Sequence, residues 1–186
     1  MEWAAGFARM RNALGLLEAH RVNTPAAERE LKRVLLRANL LNNRSCQIGT
    51  SIDAITLHET AHLNSITVSL GDSVDPLDCA LGTFSLHMAV SGTAQPLSKR
   101  KDNVSHQVAI THLHFYIRDN YDFTGDAEPL GHWGRDGASR SPDSGIAFVE
   151  NKSFREWRTR HGRGGDFVVF SDVMTKRLAQ PLVIFI

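Results

Sequence analysis

The 186-residue chain carries 21 basic and 20 acidic side chains, a formal net charge of +1, which excludes the one-signed field of an electrostatic nucleic-acid binder; no nucleic-acid partner is expected. Hydrophobic residues at 42% against 22% charged exclude a disordered chain and suit one domain, residues 1–186, with a sizeable core. No apolar run is long enough for a membrane span, and Glu2, Arg9 and Arg11 interrupt the opening stretch where a signal peptide needs an apolar region. Synthesis in the cytoplasm without a signal peptide is therefore expected.

Trp3, Phe7, Met10, Leu14 and Leu17 recur at four- and three-residue steps, which predicts one amphipathic helix packed through that stripe. Thr24 and Pro25 then supply an N-cap and a first helical position, and Leu31, Val34, Leu35 and Ala38 share one face of a second helix running to about Leu41. Residues 1–42 form this helical segment, and residues 50–186 a β-rich core carrying the candidate site.

After Asn43 the pattern changes to alternation. In TFSLHMAV, Phe84, Leu86, Met88 and Val90 point one way and Thr83, Ser85, His87 and Ala89 the other. AITHLHFYIR sets Leu113, Phe115 and Ile117 against His112, His114 and Tyr116. These predict two antiparallel strands flanking a basic loop, SGTAQPLSKRKDN. A polar stretch from Asn120 to Gly145 reads as a long functional loop. Asn151 caps a short helix whose Phe154 and Trp157 face inward and whose end suits Gly162; DFVVF and PLVIFI read as buried strands. The fold expected is α+β: a helical pair, then a mainly antiparallel sheet or partly open barrel with one short helix in the C-terminal half.

HETAH, residues 58–62, matches the H-E-x-x-H string in which two histidines one helical turn apart hold zinc and the glutamate activates water. His58, Glu59 and His62 are thus a candidate Zn²⁺ set for a hydrolase or peptidase. Ser65 and Val68 stand where an extended zinc-protease motif needs Gly and a third His, and Ile66, Val68 and Leu70 predict a strand soon after His62. His112 and His114 share one side of a strand, where His87 joins them if the register permits. Cys46 and Cys79 lack the spacing of a redox pair and read as two unpaired, partly buried thiols, with a single disulfide as the alternative.

In RDNYDFTGDAEPLGHW, carboxylates at this density repel unless solvated or bridged by a cation, so Asp119 and Asp122 are candidate ligands for Mg²⁺ or another divalent ion. His132 is a candidate proton carrier. REWRTRHGRGGD places Arg155, Arg158, Arg160, His161 and Arg163 beside paired glycines, the forked donors and open backbone that a phosphate or pyrophosphate group needs.

ALGTFSLHMAVSG, FYIRDNYDFTGDAEPLGHW and NKSFREWRTRHGRGGDFVVFSDV, covering the C-terminal half, resemble a bacterial family catalogued as domain of unknown function 6402, often encoded beside type VI secretion spike proteins. That resemblance implies a secreted antibacterial effector with a spike protein and a cognate immunity protein as partners, or a non-catalytic adaptor or cargo domain. DNYD is similar to the D-x-Y-D signature of the colicin M toxins, metal-dependent phosphodiesterases that cut lipid II. By that similarity Asp119, Tyr121 and Asp122 form the catalytic signature, the substrate is a lipid-linked peptidoglycan precursor, and the site of action is the target-cell periplasm. The family's His-Arg pair is replaced here by His132 followed by Trp133, with Arg135 the nearest arginine; His161 with Arg163 is the alternative. Arg158, Arg163 and Arg135 would then bind phosphate.

Overall fold

The computed structural model describes residues 1–20, 22–71, 75–101, 104–126, 129–134, 137–139 and 147–186. Helices α1 (Glu2–Ala5), α2 (Ala8–His20) and α3 (Pro25–Arg37) precede β1 (Cys46–Ile48). Then come α4 (Ala54–Ala61), β2 (His62–Val68), α5 (Pro76–Leu81), β3 (Phe84–Lys101) and β4 (Val104–Tyr121). The chain continues through β5 (Pro129–Gly134), β6 (Gly137–Ser139), β7 (Ala147–Glu150), α6 (Asn151–His161), β8 (Phe167–Phe170) and β9 (Met174–Phe185). The class is α+β. Two compact units result, one of residues 1–119 and 169–186, the other of residues 120–168.

The single N-terminal helix expected from the sequence is broken at Gly6, and Trp3 is exposed, whereas Met10, Ala13 and Leu17 of α2 are buried. Helix α3 starts as predicted: Thr24 is extended and its side chain accepts from the Ala27 amide, with Pro25 at the first position. Its Leu31, Val34 and Leu35 enter the main core together with Met10 and Leu17 of α2.

In the larger unit β3 and β4 form a long antiparallel ladder; β1 and β2 pair with β3, and β9 pairs with β4. The sheet does not close into a barrel. The expected basic loop is instead largely strand, because pairing continues from Ser85 opposite Arg118 out to Lys101 opposite Val104. The register shifts at Ser91/Gly92, and there a Cβ on Gly92 would lie 1.9 Å from the Ala109 carbonyl oxygen, so only glycine lets the strands approach.

Both faces of this ladder are covered, for reasons visible in the alternation. Phe84, Leu86, Met88, Val90, Leu113, Phe115 and Ile117 pack against the α2 and α3 side chains in the main core. On the reverse face α4 sets Ala54, Leu57 and Ala61 against Ala89 and Tyr116. Of the four buried residues there other than Tyr116, three are alanines; small side chains on both partners let the helix backbone come close to the sheet.

In the smaller unit β5 pairs with β6 and β7, so the polar stretch read as a loop contains strands. Helix α6 ends on Gly162 in the left-handed conformation, as expected, but its N-cap is Glu150, with Asn151 buried as the first helical residue. Trp157 is exposed rather than inward-facing. Among the described residues no helix is long and apolar enough to cross a membrane.

Candidate metal centre

Asp53 caps α4 by accepting from the Thr56 amide at 2.8 Å, and the helix runs only to Ala61. At His62 the backbone turns extended, and that residue begins β2. His58 and His62 therefore do not share an ordinary two-turn motif helix. They converge nevertheless, with ring centroids 5.0 Å apart, because the helix end delivers His62 directly into the sheet. A register shift between His62 and Asn64 lets consecutive residues divide their faces: Leu63 enters the main core, while His62 lies opposite Ala89 near His87.

His87 is the third member. It lies opposite Tyr116 on β4 and opposite Ser65 on β2, and its ring centroid is 5.1 Å from those of both His58 and His62. One ligand atom from each of His58, His62 and His87 lies within 4.8 Å of the others. Among the described residues this is the one group of three or more potential ligands so placed.

Three partners hold the rings. Glu30 on α3 places Oε1 3.3 Å from His62 Nδ1. Arg33 grips the same carboxylate with two bonds, Nε to Oε2 at 2.9 Å and Nη2 to Oε1 at 2.6 Å. That hydrogen bond to Arg33, reinforced by His62, holds the Glu30 carboxyl down at about 2. Ionised Glu30 accepts a hydrogen bond from Nδ1–H of His62 and so leaves Nε2 of that neutral ring as an acceptor, which faces His87 Nδ1 at 3.1 Å. The Tyr116 hydroxyl sits 2.9 Å from His58 Nδ1.

Burial, followed by neighbouring positive charge, lowers His58 to about 4 and His87 to about 3. Burial also lowers His62, although Glu30 opposes it. Burial raises the Tyr116 phenol, which stays protonated. All three imidazoles are thus neutral near pH 7, the state a metal ligand requires.

The fit to a cation rests on the spacing of the ligand atoms. The 3.1 Å between His62 Nε2 and His87 Nδ1 is close to the edge of about 3.3 Å expected between nitrogens each about 2.0–2.1 Å from a tetrahedral zinc. An all-imidazole set suits zinc and other late first-row ions, not Mg²⁺ or Ca²⁺. Glu59, exposed on α4, lines an open cleft of about 600 Å³ together with His58.

The other expected residues are arranged differently. His112 and His114 do not join His87: the register sets Ala89 opposite His114 and Ser91 opposite His112. His114 instead bonds Ser91 Oγ and, through Nδ1, Thr175 Oγ1 at 2.9 Å, which uses both ring nitrogens. Asp119 is buried in the larger unit, whereas Tyr121 and the exposed Asp122 belong to the smaller one. Neither aspartate belongs to a group of three potential ligands among the described residues.

Within the smaller unit the acidic loop does meet the arginine-bearing segment: Tyr121 stacks on Phe167 at 4.7 Å, and Arg155 donates to the carbonyls of Phe123 and Thr124 and pairs with Asp126. Arg158 pairs with Asp166 at 3.2 Å. Arg155 thereby holds the acidic loop, while Arg158 closes on its own segment. His161 packs against Trp157 and His132 against Phe148. Arg163 is exposed, and Arg135 lies outside the described residues. Both cysteines are free.

The sequence reading missed His87 as the partner of HETAH, and it missed Glu30, Tyr116 and Arg118. Strand parity already put His87 and Tyr116 on one face; nothing local announced that α4 covers it.

The model of a family described as a family of unknown function, DUF6402, matches residues 1–148 and 139–186, and the chain belongs to that family. No curated protein and no solved structure matches the chain significantly.

Proposed function

We propose that this DUF6402 member is a metal-dependent hydrolase centred on His58, His62 and His87, with zinc as the ion. The observation that carries the reading is the meeting of ligand atoms from all three rings within 4.8 Å. Zinc bound there by three protein ligands supplies an acidified water and polarises the bond to be cut.

The chain's own groups have separable tasks. The Glu30 carboxylate orients His62, with Arg33 keeping it ionised. Tyr116 orients His58. Glu59, facing the cleft, takes the proton of the attacking water, as the motif's carboxylate does. Arg118, close enough to disfavour charge on His58 and His87, offsets negative charge that develops during attack. The biological frame proposed is a secreted antibacterial effector acting on an envelope precursor in the target-cell periplasm, with spike and immunity proteins as partners.

A second reading, a colicin M-like phosphodiesterase using Asp119, Tyr121 and Asp122, is favoured by one observation, the meeting of the Tyr121–Asp126 loop with α6 through Arg155. One comparison separates the two. Zinc content is measured by equilibrium dialysis, and toxicity on periplasmic expression is scored, for wild type, His87→Ala and Asp122→Ala. The metal-centre reading expects one zinc per chain and toxicity, both lost in His87→Ala and kept in Asp122→Ala. A toxic, zinc-free protein inactivated only by Asp122→Ala would favour the second reading.

A further inference from the structure

We infer that the cleft between α3 and α4 is an oxyanion subsite, in which Arg37 takes a carboxylate or phosphate group of the substrate whose reacting bond lies at His58, His62 and His87. This inference rests on the metal-hydrolase reading and adds the substrate's chemistry to it.

The cleft has His58 as part of its wall, so a molecule in it reaches the histidine centre. Helix α3 contributes Glu30, Arg33 and Arg37; α4 contributes His58, Glu59 and Thr60. Its volume of about 600 Å³ lies within the range of about 300–1,000 Å³ that small-molecule sites occupy.

The two arginines differ in what they have left to offer. Arg33 closes both arms of its fork on Glu30. Arg37 is exposed and uses one nitrogen, Nη2, on the Glu59 carbonyl oxygen at 3.2 Å. That bond tethers the guanidinium at the cleft while its other donors remain available. Its charge is felt at His58, whose protonation it disfavours.

Charge complementarity points the same way. Three neutral imidazoles would leave a divalent ion's two charges uncompensated. Glu30 is balanced by Arg33, Arg37 and Arg118 add two positive charges near the rings, and Glu59 is the remaining anion on the cleft. The loaded site is therefore strongly positive, and an anionic substrate is drawn in. A planar guanidinium offers carboxylate and phosphate oxygens a paired donor fork, so the recognised chemistry is the oxyanion itself.

The test titrates inorganic phosphate and, separately, acetate into metal-free and stoichiometrically zinc-loaded protein, following backbone amide shifts of α3 and α4 by NMR. Wild type, Arg37→Gln and the charge-conserving Arg37→Lys are compared, and zinc affinity is measured for each. Arg37→Gln should weaken anion binding by about tenfold or more, the scale of one charge-assisted bond, with Arg37→Lys in between and zinc affinity not reduced. Preference for phosphate would assign a phosphoryl substrate; preference for acetate would assign a carboxylate one. Equal anion affinity in wild type and Arg37→Gln overturns the subsite while leaving the zinc centre standing. Failure of wild type to bind zinc overturns the hydrolase reading, and the metal-free titration still decides for or against the Arg37 contact.

Discussion

His87 Nδ1 lies 3.1 Å from His62 Nε2, a buried contact between residues 25 positions apart. Because Glu30 accepts the Nδ1–H hydrogen bond of His62, the His62 nitrogen facing His87 is an acceptor, and His87 completes the centre from the middle of the sheet. Replacing His87 by Ala should abolish stoichiometric zinc binding as fully as His62→Ala. The loss should exceed the roughly 10–100-fold of an outer partner, since a ligand itself is removed. His112→Ala, on the same strand face but outside the triad, should leave zinc content at one per chain by equilibrium dialysis.

The outer partners make a graded prediction. Glu30→Gln keeps the shape but removes the charge that selects the His62 tautomer, and Tyr116→Phe removes the hydroxyl 2.9 Å from His58 Nδ1. Each should weaken zinc by about 10–100-fold without abolishing it. A competition titration against a chromophoric chelator measures this. Unchanged affinity in both variants would mean that neither group orients a ligand.

Acid should destabilise the metal-free protein in a definable window. His58, His87 and His114 are held at about 4, about 3 and about 4, each by burial first, so between pH 6.5 and these values the unfolded chain binds protons that the folded chain refuses. Stability is therefore full above pH 6.5 and falls as the pH drops towards 3. Glu30, lowered to about 2 chiefly by Arg33, adds a loss of the same sign between pH 4.5 and 2. Each buried ring contributes at most about 1.4 kcal/mol per pH unit, and the partly exposed His58 less. Thermal melts at pH 7, 6, 5 and 4 should show this decline, and His114→Asn should flatten it while leaving zinc binding intact.

Much of the larger unit was legible because alternation is a local property. Phe84, Leu86, Met88 and Val90 are buried in the main core, and His87 lies on the other face with Tyr116, as strand parity required. Register is not local. A shift by one residue exchanges faces, and nothing near HETAH shows that His62 lies opposite Ala89 or that Leu63 is the extra residue of an irregular pairing. Glu30 reaches His62 across 32 positions from another helix, a contact without a sequence signature. The polar stretch after Asn120 was misread for a different reason. Gly131, Gly134 and Gly137 dilute the alternation, so β5 and β6 resemble loop by composition although they pair.

A partly buried charge cluster governs stability away from the metal centre. Arg9 on α2 forks onto Asp75, with bonds of 2.9 and 2.8 Å, and reaches Asp78 at 2.8 Å. Asp75 and Asp78 form the capping box that starts α5, and Asp78 is buried. Arg9→Met removes the cation and leaves the Asp78 carboxylate without its ion-pair partner. The expected cost is about 3–5 kcal/mol, read from denaturant unfolding, whereas the exposed Arg11→Met should cost well under 1 kcal/mol.

The Gly92 position separates the sheet's stability from the centre's chemistry. A methyl group there would meet the Ala109 carbonyl oxygen at 1.9 Å and that residue's carbonyl carbon at 2.9 Å, backbone atoms that cannot rotate away. Gly92→Ala should therefore destabilise by about 3 kcal/mol, the upper end of what overpacking costs. The irregularity lies on the far side of Ser91 from His87, and pairing from Ser85 to Ser91 is continuous with β4. The folded fraction of the variant should consequently bind zinc as wild type does, at a lower melting temperature. Loss of zinc binding in Gly92→Ala below its melting transition would mean that the two halves of β3 are coupled, and that the ladder around His87 depends on the close approach at Gly92.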